Sequence, residues 1–94
     1  SMSPAIILDK ENNVKMVVGA AGGTKIPSSV ALVIMRSLWF SEDIKMAVDG
    51  PRFHNQLYPM KVDYEYGLVS SIVEGLKKLG HKTTRSKGTG SVIN

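Results

Sequence analysis

The stretch Val17-Val18-Gly19-Ala20-Ala21-Gly22-Gly23-Thr24 decides how this chain is read. An apolar strand runs into paired glycines, and a largely apolar segment from Ile26 to Phe40 follows. That second segment reads as a helix, with Val30, Val33, Ile34 and Leu38 at helical spacing and Pro27 in the first turn, where its missing N–H is harmless. Ala31, Leu32, Met35 and Trp39 form a second apolar face, so the helix is expected to lie between layers. Gly22 and Gly23 stand at the strand-to-helix turn. No side chain shields their N–H groups, and a helix N-terminus adds partial positive charge there, which suits an anion or a developing oxyanion. A plain tight turn is the competing reading of the same residues.

Upstream, Ala5–Leu8 and Val14–Val18 flank the polar run Asp9-Lys10-Glu11-Asn12-Asn13 and read as a β-hairpin. Downstream, Ser41 is expected to cap a short helix, with Glu42 and Asp43 in its first turn and Asp49-Gly50-Pro51 ending it. Pro51 to Pro59 reads as irregular and extended, and Val62-Asp63-Tyr64 as a brief strand. Leu68, Ile72, Leu76 and Leu79 predict an amphipathic helix stopped at Gly80, with Lys77 and Lys78 in its last turn. A strand is expected between His81 and Arg85, and Ser91-Val92-Ile93-Asn94 resembles the opening of another. Both ends read as cut, which suggests a piece of a larger protein.

Composition narrows the chemistry. A chain of 94 residues makes at most one small domain, able to bury roughly 60–65% of its unfolded surface. Without cysteine there is neither a disulfide framework nor a thiolate metal site. No apolar run approaches the ~18 residues of a membrane span, and no signal-peptide pattern is visible. The net charge is +4, gathered towards the end in Lys77, Lys78, Lys82, Arg85 and Lys87. A nucleic-acid or acidic-membrane contact and a solvated end are the two readings of that run, and no aromatic residue among these charges would stack a base. Gly19-Ala20-Ala21-Gly22-Gly23-Thr24-Lys25 is not a phosphate-binding loop, because Thr24 precedes the lysine and Ile26 follows it.

Other polar residues carry weaker signals. His54, between Arg52 and Asn55, reads either as a general base or as part of a hydrogen-bonded structural loop, and no carboxylate adjoins it in sequence. His81 lacks the partners a metal site needs. Asp63 and Glu65 share one face of an extended segment and are expected to form a solvated acidic edge.

Taken in order, these segments resemble γ-glutamyltransferase, also called glutathione hydrolase, in the later part of its small subunit. Ser1-Met2-Ser3-Pro4 is similar to the end of that family's Ser-Ser-Met-x-Pro motif. The glycine pair, Leu38-Trp39-Phe40 and Pro51-Arg52-Phe53-His54-Asn55-Gln56-Leu57-Tyr58-Pro59 follow in the family's order. Residues 1–94 then read as a partial small-subunit domain without the nucleophile segment or the last strands. The resemblance implies an α/β (α+β) fragment of an N-terminal-nucleophile hydrolase with an αββα sandwich. It implies cleavage of the γ-glutamyl amide of glutathione and transfer to water, an amino acid or a dipeptide. By the same resemblance Gly22 and Gly23 form the oxyanion hole, and Ser1 binds the substrate's α-carboxylate.

A non-native or arbitrary chain end, or a nucleophile of its own, are the other readings of Ser1. The resemblance implies no cofactor, no metal and no nucleic-acid partner. It implies a large subunit from the same precursor, and a place on the outer face of the plasma membrane or in the periplasm. The nucleophilic threonine belongs upstream, so this stretch alone is expected to be inactive. A catalytically inactive paralogue, or a truncated interaction protein, is the alternative. Pro27 and Ser41 depart from residues that are commonly threonine and glycine in the family, and both are expected to be tolerated.

Overall fold

Asp9 starts the chain's first turn. In the computed structural model, which describes residues 3–86 together with the backbone of Val92 and Ile93, Asp9 Oδ1 accepts hydrogen bonds from the N–H groups of Glu11 and Asn13, both at 2.9 Å. Asn12 takes the left-handed conformation, φ 65°, that a short amide side chain tolerates. This turn closes the expected hairpin: β1 (Ala5–Leu8) pairs antiparallel with β2 (Val14–Val18), with a register shift between Ile7 and Leu8. Strand alternation then sorts the side chains. Met16 and Val18 are buried with Ala5 and Ile7 beside them, while Ile6, Leu8, Val14 and Val17 are exposed.

β3 (Ala20–Ala21) pairs antiparallel with β7 (Val92–Ile93). A 3₁₀ turn, Gly23–Lys25, leads into α1 (Ile26–Leu38), with Pro27 in the first turn. Val33 is fully buried and, with Met16, Val18, Ala20 and Ala47, makes the core; Ile26, Val30, Ile34 and Leu38 pack around it. α1 stops earlier than its apolar run: Trp39 is its C-cap, and both Trp39 and Phe40 are exposed.

The expected cap at Ser41 is corrected by the structure. Ser41 has φ 58°, and the cap of α2 (Ile44–Asp49) is Asp43, whose carboxylate accepts from the Lys45 N–H at 2.9 Å. Ser41 therefore turns the chain in the left-handed region that glycine adopts more cheaply. Glu42 lies outside the helix because it pairs with Arg36 of α1 at 2.8 Å. Arg36 also donates to the Pro51 carbonyl at 3.2 Å, tying α1 to the segment beyond α2.

The remaining residues form a smaller sheet. β4 (Phe53–His54) pairs antiparallel with β5 (Val62–Tyr64), and β5 pairs parallel with β6 (Thr83–Arg85). A parallel pair requires a crossover, which α3 (Ser70–Lys78) supplies, and Gly80 follows it at φ 95°. The amphipathic face of α3 differs from the expected one. Val73 is its buried residue and Leu76 is half-buried, whereas Ile72 and Leu79 are exposed. Leu68 precedes the helix. No helix among the described residues is long and apolar enough to cross a membrane.

Candidate functional site

The paired glycines occupy conformations that side chains resist. Gly22 has φ 140° and ψ 29°, and Gly23 has φ 62°. Both are exposed. The turn closes on itself: the Lys25 N–H reaches the Gly22 carbonyl at 3.3 Å, and the Ile26 N–H reaches that of Gly23. Neither the Gly22 nor the Gly23 N–H donates to another group among the described residues. These donors therefore stand at the foot of α1, where the helix macrodipole favours negative charge. An added Cβ on Gly23 would meet nothing within 4 Å, so its glycine is required by backbone angle and not by space.

Beside this turn runs the segment from Pro51 to Pro59. His54 Nδ1 lies 2.7 Å from Ser28 Oγ, and the same hydroxyl lies 3.2 Å from the Lys25 carbonyl oxygen. On the other side of the ring, Nε2 meets Gln56 Oε1 at 2.8 Å. The Gln56 amide donates to the Tyr58 carbonyl at 3.0 Å, which fixes its oxygen towards the histidine. The Ser28 hydroxyl has a single hydrogen, donated to the Lys25 carbonyl, so these bonds are all met when Nδ1–H donates to Ser28 Oγ and Nε2–H to Gln56 Oε1. Of the two readings of His54, the structural loop is the one these bonds describe. Asn55 completes the loop, donating to the Lys61 carbonyl at 2.9 Å and accepting from the Leu57 N–H at 3.0 Å. A shallow cleft between the 3₁₀ turn and this loop is lined by Lys25, His54, Gln56, Lys61 and Asp63, among others.

Sequence reasoning missed the cluster that supports the loop. Arg52 is 8% exposed, and its guanidinium meets Glu65 Oε2 at 3.0 Å, while its N–H donates to Glu65 Oε1 at 3.1 Å. The Glu65 N–H returns a bond to the Arg52 carbonyl at 2.9 Å. The expected solvated acidic edge is thus wrong for Glu65, whose carboxylate is taken by a buried arginine. Asp63 faces Lys61 at 3.4 Å. Among the described residues no group of histidine and acidic side chains could hold a metal. Ser1, the expected substrate serine, lies outside the described residues.

With this geometry in place, comparison with known proteins decides the family. The model of the gamma-glutamyltranspeptidase family matches residues 1–94. The chain belongs to the γ-glutamyltranspeptidase family. It is 44% identical over 93 residues to Scoloptoxin SSD20 of Scolopendra dehaani, covering 99% of this chain and 47% of that protein. It is 35% identical over 85 residues to the human Glutathione hydrolase 5 proenzyme, covering 90% of this chain and 14% of that protein.

Among solved structures, the T380A mutant of the Helicobacter pylori γ-glutamyltranspeptidase superposes with a TM-score of 0.84 at 32% identity, over 100% of this chain and 57% of that one. The mixed α+β arrangement is therefore that of part of an N-terminal-nucleophile hydrolase. The chain spans between 14% and 57% of the length of these relatives.

Proposed function

We propose that this stretch is part of the small subunit of a γ-glutamyltransferase acting on glutathione and other γ-glutamyl compounds. The exposed Gly22–Gly23 turn at the foot of α1, in a chain matched along its whole length by the family, carries this reading. In the proposed reaction a threonine hydroxyl from the preceding part of the protein attacks the γ-glutamyl amide carbonyl. The C–N bond breaks, the amine leaves with a proton, and a γ-glutamyl ester remains. Water, an amino acid or a dipeptide then attacks that ester and frees the threonine.

Both steps put negative charge on the carbonyl oxygen. The Gly22 and Gly23 N–H groups would receive it without rearrangement, in the way that a preorganised oxyanion hole lowers a barrier. Ser1 would hydrogen-bond the α-carboxylate of the γ-glutamyl group. The large subunit from the same precursor would complete the protein, which would act on the outer face of the plasma membrane or in the periplasm.

The test is hydrolysis and transfer of a γ-glutamyl anilide by the full-length protein. Turnover that depends on the upstream threonine, and falls about 10²–10³-fold in kcat for Gly22→Ala, is expected. A fully processed protein with no turnover would instead establish an inactive member of the family. A Gly22→Ala variant as fast as wild type would remove the glycines from the mechanism.

A further inference from the structure

An oxyanion hole made of two glycines has an inherent weakness. The residues that leave the N–H groups uncovered are also those with the greatest backbone freedom. Donors that must lie within about 0.5 Å of the developing charge need support from elsewhere. In this chain the turn's own bonds are few. Lys25 to Gly22 is long, at 3.3 Å, and Ile26 to Gly23 is the other. Gly22, Gly23 and Thr24 are all exposed, so packing does not immobilise them.

The additional restraint comes from a different part of the fold. Ser28 Oγ lies between the Lys25 carbonyl, the last residue of the 3₁₀ turn, and His54 Nδ1 on β4. His54 is itself held from behind by Gln56, and Gln56 by the Tyr58 carbonyl. The strand carrying His54 is anchored next door by the buried Arg52–Glu65 pair. A relay thus runs from a hydrogen-bonded loop, through a histidine and a serine, to the carbonyl that ends the glycine turn.

We infer that His54 and Ser28 are positioning residues that hold the Gly22–Gly23 N–H groups in register for the oxyanion. This inference rests on the function proposed above. Its content is specific to geometry: His54 acts through Ser28 and not by touching substrate. The two side chains should therefore behave as one unit. The asymmetry of the ring also matters, because Nδ1 makes the bond that reaches the turn and Nε2 the bond that steadies the ring.

The experiment measures kcat and KM for γ-glutamyl anilide hydrolysis in the full-length protein and its variants. His54→Ala and Ser28→Ala are each expected to lower kcat about 10- to 100-fold with KM unchanged, the effect of a small misplacement of catalytic donors. The double variant should be no slower than the worse single variant, as expected for residues in one network. His54→Asn, whose amide takes the place of Nδ1, should recover most of kcat, whereas His54→Gln, which mimics Nε2, should not.

Ser28→Ala at the wild-type rate, multiplied losses in the double variant, or equal rates for His54→Asn and His54→Gln would each overturn the inference. Ser28→Ala removes one oxygen atom and remains decisive if His54→Ala does not fold. Gly22→Ala separates the two readings. If it is slow while the Ser28 and His54 variants are fast, only the positioning role fails; if it too is fast, the oxyanion role fails with it.

Discussion

Replacing Glu65 with alanine is expected to be among the most damaging single changes to this domain. Glu65 accepts from Arg52 through the backbone N–H at 3.1 Å, Nε at 3.3 Å and Nη2 at 3.0 Å. The two side chains are only 9% and 16% exposed, so water replaces few of these bonds when the carboxylate is removed. The Arg52 guanidinium also donates to the Val48 carbonyl at 3.4 Å, a neutral acceptor that carries no countercharge. Breaking a buried ion pair from one side costs about 3–5 kcal/mol, because a charge is left uncompensated. Against a total stability of about 5–15 kcal/mol, that is a large fraction.

Denaturant titration of the full-length protein, followed by tyrosine and tryptophan fluorescence, measures the loss as a lower midpoint at unchanged slope. The double variant Arg52→Met with Glu65→Leu should recover most of it, since two apolar side chains remove both charges together. A loss below about 1 kcal/mol for Glu65→Ala would refute the reasoning, because it would place the pair in the class of solvent-screened surface bridges. So would a double variant as unstable as the single one, which would assign the loss to packing and not to charge.

Gly23→Ala should cost about 1–2 kcal/mol in thermal or chemical unfolding, from its φ of 62° with no steric clash to add, and Gly23→Asn should cost less. Equal costs for the two would show that the left-handed conformation is not what matters there. Gly50→Ala should destabilise by about 1–3 kcal/mol, because the new Cβ would lie 2.6 Å from Arg36 Nη2 and displace a guanidinium engaged by Glu42 and the Pro51 carbonyl. Removing the arginine as well, with Arg36→Ala, should abolish the added penalty, and a persistent penalty would point to the backbone. Lys45 is held charged above its ordinary range, first by its hydrogen bond to Asp49 and then by that carboxylate's charge. Its raised folded value means that its contribution is complete below the ordinary lysine pKa and is lost as pH rises through the raised one. Lys45→Met should therefore narrow its difference from wild type in unfolding midpoints taken at strongly alkaline pH, and a gap that widens there would contradict the sign.

Local chemistry made several features legible. The hairpin follows from two apolar runs around an Asp-led polar turn, and α1 from its periodicity and its early proline. The glycine turn was visible because strand, glycines and helix are contiguous. The family was readable from ordered motifs. Where the reading failed, a residue's partner lay far along the chain. Ser41 looked like a cap until Asp43 proved to hold the Lys45 N–H and Glu42 was drawn to Arg36. On α3, a leucine stripe suggested one face, and packing of the small sheet chose Val73 instead.

What the amino-acid sequence determined by itself is the hairpin, the three helices, the position of the donor-bearing turn and the family, whereas β4 (Phe53–His54) lies in a segment, Pro51 to Pro59, that it left irregular. Each depends on neighbours within a few residues, where backbone sterics and side-chain period act directly. Only the tertiary structure brought Ser28 to His54, 26 residues away, and Arg52 to Glu65, 13 residues away. Such pairs leave no periodic mark: the first is set by how β4 meets α1, the second by the register in which β4 pairs with β5. The sequence could therefore place the glycine turn but not the side chains that meet beside it.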